Sequence, residues 1–168
     1  MSGFFAVFER KGYVYKIVLA REDSRTWSEA KTICQEQENG QLVSILSRAE
    51  LEWLNSKVMM VGRNNRKQKL WLGATDEEHY GKYKWVDGKP FNNGVAPWAL
   101  GHPLNGNMEH EMCVSMDASS YGAQWRDVDC YKAMGYICKS DGKLNMIHWF
   151  PLLNIYIFAN SFHLHDIL

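Results

Sequence analysis

The sequence has no surplus of charge of either sign. Its 168 residues contain 19 lysines and arginines and 19 aspartates and glutamates, so the formal net charge is zero. A protein that binds nucleic acid usually carries a basic surplus that is concentrated in a patch. We therefore expect no nucleic-acid partner.

The sequence also lacks the short motifs of the common enzyme classes. It contains no glycine-rich phosphate-binding loop, no Gly-x-Ser-x-Gly nucleophile motif, no His-Glu-x-x-His motif and no dinucleotide-binding fingerprint. Carboxylates such as Glu109 and Asp127 are present, but the sequence gives no separation between them and so indicates no acid/base pair. We expect a protein that is not an enzyme and has no catalytic residues.

Apolar runs in the chain are short or interrupted. The run at residues 4–8 ends at Glu9 and Arg10 and is too short for a typical signal peptide. The segment 141–168 is apolar, but Pro151 and several asparagines and histidines interrupt it, and no lysine or arginine follows Leu144 as a stop signal. We expect this segment to be a tail outside the folded domain rather than a membrane anchor.

The composition of the sequence predicts one folded, soluble domain. Hydrophobic residues make up 46% and charged residues 23% of the chain, which is close to the average of globular proteins of this length. Aromatic residues make up 13%, with seven tryptophans, and such a content favours β-rich structure.

Four cysteines are present, and no two of them have the Cys-x-x-Cys spacing of zinc ribbons or thioredoxins. They are Cys34, Cys113, Cys130 and Cys138. Disulfide bonds are the favoured interpretation, with three pairings open, and buried free thiols are the alternative. Since disulfides persist in oxidising compartments, we expect an extracellular or cell-surface location even though no signal peptide is evident.

Two amphipathic helices are predicted in the first half of the chain. Thr26 and Glu29 have the spacing of a capping box at the start of a helix over residues 24–40, with Gly40 as its C′ residue. Ser47 and Glu50 repeat this spacing at the start of a second helix.

The second half of the chain has the pattern of short strands. The predicted strands cover residues 70–73, 83–86, 112–116, 124–128 and 135–138, after a strand at 42–45 between the helices. An irregular segment rich in glycine, asparagine and proline lies at residues 87–108. A loop of this length in a compact domain usually has a binding role.

Tryptophan, glycine and cysteine residues recur in a definite order along the chain. In order, they are the segment from Trp27 to Cys34, Trp71-Leu72-Gly73-Ala74, Trp85-x-Asp87-Gly88, Trp98-x-x-Gly101-x-Pro103, Cys113, Trp125-x-Asp127, Cys130 and Tyr136-Ile137-Cys138. This order resembles that of a C-type lectin-like domain over residues 12–140. The resemblance leaves residues 1–11 as an N-terminal extension and residues 141–168 as the tail.

The resemblance implies an α+β double-loop fold in which two helices pack on small antiparallel sheets. It implies the disulfides Cys34–Cys138 and Cys113–Cys130, and a cis peptide bond before Pro103. Trp71, Trp85 and Trp125 are expected in the core rather than at a ligand surface.

The calcium-dependent sugar site of this family is only partly matched. The family uses a Glu-Pro-Asn triplet, a glutamate near the next cysteine and a Trp-Asn-Asp triplet, where this chain has His102-Pro103-Leu104, Glu111 and Trp125-Arg126-Asp127. Calcium needs six to eight oxygen ligands, and only Glu111 and Asp127 match as metal ligands. The predicted ligand-binding residues are His102, Pro103, Leu104, Asn105, Glu111, Arg126 and Asp127.

Arg126 is the substitution with the largest expected effect, because a guanidinium cannot bind a cation. We hypothesise that Arg126 provides Glu111 and Asp127 with the positive charge that calcium provides in the sugar-binding relatives. The alternative is that Arg126 points into solvent. At the family's auxiliary calcium site Asp76 matches, whereas Tyr80 and Met112 replace acidic residues.

These observations predict a non-enzymatic recognition domain that binds a glycan or a protein non-covalently, with no cofactor. Two alternatives remain open. One is a calcium-dependent lectin with a variant site, to which Asn105, Asn107 and Glu109 could contribute oxygens. The other is a structural matrix component without a ligand of its own.

Overall fold

The computed structural model describes residues 5–62, 68–92, 94–104 and 112–142. It begins with a β-hairpin that the sequence patterns did not indicate. Strand β1 (Phe5–Arg10) pairs antiparallel with β2 (Tyr13–Val18), and the turn residues Lys11 and Gly12 both have positive φ angles. Because β2 also pairs with the last strand of the domain, β1 belongs to the same sheet. The boundary predicted at Gly12 is therefore wrong, and residues 5–11 are part of the domain.

Helix α1 (Trp27–Glu36) begins at the predicted capping box. The Thr26 hydroxyl accepts from the Glu29 N–H, and the Glu29 carboxylate accepts from the Thr26 N–H. The predicted C-terminus is wrong, because the helix ends at Glu36 and Gly40 opens strand β3 (Gly40–Leu42). A Cβ at Gly40 would lie 2.4 Å from a backbone oxygen of the neighbouring strand, so close strand packing requires glycine here.

Helix α2 (Arg48–Gly62) follows Ser47, whose hydroxyl accepts from the Glu50 N–H as predicted. The Glu50 side chain does not complete the capping box. Its Oε2 accepts from the Leu46 N–H, and its Oε1 accepts from the Tyr15 hydroxyl at 2.6 Å and the Lys139 ammonium at 2.7 Å. Glu50 therefore connects α2 to the sheet.

The remaining strands are β4 (Gln68–Thr75), β5 (Lys84–Trp85), β6 (Met112–Ala118), β7 (Gln124–Asp129) and β8 (Gly135–Asp141). The described strands form one connected sheet in the order β1-β2-β8-β4-β6-β7, with β3 paired to β8 and β5 paired to β4. The pairing of β4 with β8 is parallel and the others are antiparallel. The α+β class with two helices is confirmed, although the strands are joined in one mixed sheet.

The core lies between the helices and this sheet, and it contains the three tryptophans predicted there. Trp71, Trp85 and Trp125 are 0%, 3% and 1% exposed. Both predicted disulfides are present: Cys34–Cys138 joins α1 to β8, and Cys113–Cys130 joins β6 to the residue that follows β7. Apart from its first two residues, the tail predicted for residues 141–168 lies outside the described residues.

Candidate ligand site

The long loop after β5 is fastened to the middle of β7. The Trp125 N–H donates to the Pro97 carbonyl and the Ala99 N–H donates to the Trp125 carbonyl, both at 2.9 Å. These two bonds hold residues 97–99 beside β7 like a short parallel strand. The triplet His102-Pro103-Leu104 follows directly, and the peptide bond before Pro103 is cis, as the resemblance implied.

A cluster of packed aromatic rings stabilises this loop. Trp98 packs 5.4 Å from Tyr83 and 6.2 Å from Trp125, and Phe91 contacts Trp85 at 5.2 Å between ring centroids. Such contacts stabilise the packing beyond the area that they bury. Trp98 is partly buried in this cluster and therefore supports the loop rather than projecting from it.

Asp127 is the centre of the site, and both of its carboxylate oxygens are engaged. Oδ1 lies 2.5 Å from Nδ1 of His102, while Oδ2 accepts from the Tyr83 hydroxyl at 2.8 Å and from the Leu104 N–H at 2.7 Å. The Asp127 side chain is 1% exposed. Burial and the hydrogen bond to Asp127 raise the pKa of Tyr83 well above its ordinary value, so Tyr83 keeps its proton and remains a donor.

His102 connects Asp127 to Arg126. Nη1 of Arg126 lies 3.1 Å from Nε2 of His102, and a guanidinium can only donate hydrogen bonds. Nε2 must therefore accept, and Nδ1 carries the ring proton and donates it to Asp127. Nε of Arg126 donates to Oδ2 of Asp117 at 3.0 Å.

The direct partner of Arg126 is thus Asp117 and not Asp127. The hypothesised positive charge of Arg126 reaches Asp127 only through His102, which lies between the two side chains. The Arg126 side chain is 32% exposed, so it is hydrogen-bonded within the domain and also partly open to solvent. The other predicted partner, Glu111, lies outside the described residues, as does Asn105.

An open groove of about 680 Å³ runs beside this network. It is lined by Lys69, His102, Leu104, Met112, Asp117, Arg126, Asp127, Val128, Asp129 and Lys132. The groove therefore contains His102, Leu104, Arg126 and Asp127 of the predicted site, while Pro103 lies between two lining residues in the sequence and does not itself line the groove.

The described residues of this site do not fit a calcium ion. Asp127 uses both oxygens for protein hydrogen bonds, Leu104 offers an aliphatic side chain, and the Arg126 guanidinium lies next to His102. A calcium ion needs six to eight oxygen ligands, and among these described side chains only the already hydrogen-bonded carboxylate of Asp127 has oxygens that could bind it. Asp76 is similarly engaged, because its oxygens accept from the N–H groups of Met112 and Gly81.

Comparison with known sequences decides the family. The family described as "Lectin C-type domain" matches residues 23–140. The chain belongs to this C-type lectin family. Lithostathine of Rattus norvegicus is 33% identical over 118 residues, which cover 70% of this chain and 68% of lithostathine.

Solved structures of C-type lectins agree with the fold. Human lithostathine has 27% sequence identity and a TM-score of 0.67, and the match covers 80% of this chain and 88% of that structure. The carbohydrate-recognition domain of cow CD23, determined in the presence of a GlcNAc2Man3 oligosaccharide, has 26% identity and a TM-score of 0.63 and covers 80% of this chain and 92% of that structure. C-type lectin domains are recognition domains and in general not enzymes.

Sequence reasoning missed two residues of the site, Tyr83 and Asp117. Asp117 faces Gln124 in the β6–β7 ladder, and Arg126 lies two residues further along β7, on the same face of the sheet. The contact between Asp117 and Arg126 can be inferred only when the register of the two strands is known. Tyr83 reaches Asp127 across 44 positions of the chain, and no local pattern indicates that contact.

Proposed function

We propose that this C-type lectin domain binds a carbohydrate or protein ligand non-covalently in the groove beside β7, without calcium. The observation that carries this proposal is the complete engagement of Asp127 by His102, Tyr83 and the Leu104 N–H. In the proposed function, the hydrogen bonds of Asp127 hold the loop against β7. In a calcium-dependent lectin, a bound cation would have this role.

Arg126 and Leu104 are the candidate ligand contacts of the groove. Leu104 is 38% exposed and Arg126 is about one-third exposed, whereas Asp127 is buried. His102 and Asp127 act on the ligand through their position, since they orient the Arg126 guanidinium and the Leu104 backbone.

The two disulfides also support our proposal of an extracellular or cell-surface location. The two disulfides are stable in an oxidising compartment. Among the residues described by the structure, no helix is both long and apolar enough to cross a membrane. The structure of the CD23 relative was determined in the presence of an oligosaccharide, and this supports carbohydrate as one of the two ligand classes.

Calcium titration tests the metal-free proposal. Calcium is titrated into the oxidised 168-residue chain by calorimetry, and melting curves are recorded in calcium, in magnesium and in EGTA. We expect no binding heat and no specific rise in melting temperature up to about 1 mM calcium, the weak end of extracellular calcium modules. A dissociation constant below that value would instead support the calcium-dependent lectin.

Two leucines of the same loop test the location of the ligand site. Leu104 lines the groove, whereas Leu100 is fully exposed and does not line it. On a glycan and protein array probed in EGTA, Leu104→Asp should abolish the signals of the unmodified chain and Leu100→Asp should keep them. Equal loss in both variants, or loss in neither, would place the ligand elsewhere.

A further inference from the structure

Asp117 and Asp127, two of the three acidic residues that line the described groove, have buried carboxylates. Asp127 accepts three hydrogen bonds, Asp117 is 6% exposed and pairs with Arg126, and Oδ1 of Asp129 accepts from the Tyr131 N–H at 2.8 Å. Their negative charges are therefore largely compensated within the domain. A ligand that enters the groove does not meet a free carboxylate of Asp117 or Asp127.

The cations of the groove are turned outward. Lys69 and Lys132 are exposed, and neither forms a salt bridge within the described part of the chain. Arg126 uses Nε and Nη1 for its bonds to Asp117 and His102, and its Nη2 makes no hydrogen bond to a described residue. Among the described lining residues three are basic and three are acidic, and the exposed charges of Lys69 and Lys132 outnumber that of the partly exposed Asp129.

One part of the groove wall is aliphatic. Leu104, Met112 and Val128 line it, but Met112 is only 4% exposed, so Leu104 and Val128 provide the accessible surface, and their side chains have no atom that can form a hydrogen bond with a sugar hydroxyl. Burying sugar hydroxyls against such a surface costs free energy, since they lose water without a replacement partner. An apolar amino-acid side chain loses nothing in this way and gains from burial.

From this arrangement we propose that the groove binds an acidic polypeptide segment. Carboxylates of the segment pair with Lys69, Lys132 and Nη2 of Arg126, and an adjacent apolar side chain packs on Leu104 and Val128. The proposal rests on the metal-free groove proposed above and narrows its ligand to a protein. The exposed cations favour a ligand that carries acidic groups, because the charges are complementary. The apolar wall favours a peptide over a polysaccharide as that ligand.

Selection from a random dodecapeptide display library tests this proposal. The oxidised 168-residue chain is immobilised and screened in EGTA, and selected peptides are measured by fluorescence anisotropy. We expect the selected peptides to carry aspartate or glutamate next to a large apolar residue. Replacing that acidic residue by its amide should weaken binding about fivefold or more, the effect of roughly 1 kcal/mol per exposed charge pair.

Lysine variants connect the binding to the groove. Lys69→Gln and Lys132→Gln should each weaken binding of the selected peptides about fivefold and reduce its dependence on salt. Lys82→Gln is the matched control, because Lys82 is exposed and lies outside the groove. Equal effects of all three substitutions would overturn the proposal.

Two further outcomes would also overturn it. One is the selection of neutral or basic peptides, or of none above background. The other is binding of heparin that depends on Lys69 and Lys132 while no peptide is selected, which would identify the ligand as an acidic polysaccharide. In either case, array signals lost in Leu104→Asp but kept in Leu100→Asp would leave the groove and its metal-free function intact.

Discussion

Arg126 donates a hydrogen bond to His102, and this contact fixes the imidazole as an acceptor at Nε2 and a donor at Nδ1. The donor side then holds Asp127. A chain of charge-assisted contacts thus runs from Asp117 through Arg126 and His102 to Asp127, and it joins β6, β7 and the long loop. In the metal-free site proposed above, this chain of contacts holds the loop against β7.

Replacing the arginine should not restore calcium binding. In Arg126→Asn the new amide adds one oxygen, but Tyr83 and the Leu104 N–H still occupy Oδ2 of Asp127. We expect at most a small gain in calcium affinity by calorimetry, with Lys82→Gln as the control for altered surface charge. A large gain would show that Arg126 alone prevents calcium binding.

The same substitution should lower the stability of the domain. It leaves Asp117, which is 6% exposed, without the cation that pairs with it. An uncompensated buried carboxylate costs about 1–3 kcal/mol, to be measured as the free energy of unfolding in urea. Arg126→Lys, which keeps the charge but not the forked geometry, should recover part of this loss.

Removing the Tyr83 hydroxyl should destabilise the loop. Tyr83→Phe keeps the ring contacts with Trp98 and Phe91 but leaves Oδ2 of Asp127 with one donor fewer. We expect a loss of about 1–2 kcal/mol in the free energy of unfolding. Tyr80→Phe is the control, since Tyr80 is 58% exposed and forms no hydrogen bond with Asp127. Equal stability of the two variants would contradict the importance of this bond.

Acid should weaken the contact between α2 and the sheet. Burial raises the pKa of Glu50, but hydrogen bonds from Lys139, Tyr15 and the Leu46 N–H outweigh this effect and hold the pKa below its ordinary value. Glu50 therefore contributes stability that is present at neutral pH and is lost as the pH falls below the ordinary glutamate pKa and through the lowered value in the folded state.

Glu50→Gln measures this contribution. The difference in melting temperature between the unmodified chain and Glu50→Gln should be largest at neutral pH and should shrink as the solution is acidified. Glu52→Gln, on the exposed face of the same helix, should show no such pH-dependent difference. A difference for Glu50→Gln that stays constant down to acidic pH would be inconsistent with the lowered pKa.

A methyl group at Gly73 should disrupt the centre of the sheet. A Cβ there would lie 2.5 Å from the Leu42 carbonyl oxygen and 2.9 Å from Cγ2 of Val86. The backbone oxygen cannot move without breaking strand contacts, so Gly73→Ala should cost about 1–3 kcal/mol in the free energy of unfolding. Gly94→Ala meets only the tip of the Asn92 side chain and should be nearly neutral in the same measurement.

Several features of this protein could be predicted from its sequence because they depend on neighbours within a few residues or on the order of rare residues. The capping box of Thr26 and Glu29 spans three positions and is present. The order of tryptophans, glycines and cysteines indicated the family, and with it the two disulfides and the cis peptide bond before Pro103.

The hairpin of β1 and β2 escaped prediction for a different reason. Both faces of β1 are partly exposed, so its alternating pattern is weak, and β2 is held in the sheet by pairing with β8, more than 100 positions away. The prediction for Gly40 is wrong because a glycine that follows a helix can be its C′ residue or can allow close packing of strands. Only the packed sheet distinguishes these two roles.

The sequence by itself determined the fold family and named the residues around which the site is built. Tertiary structure decided which of them are partners. Glu50 has the local spacing of a capping box yet contacts Lys139 across 89 positions, and Arg126 stands next to Asp127 in sequence yet pairs with Asp117. In a strand, neighbouring side chains point to opposite faces, so the partner of a buried charge is set by the register of the sheet and the path of the loop above it.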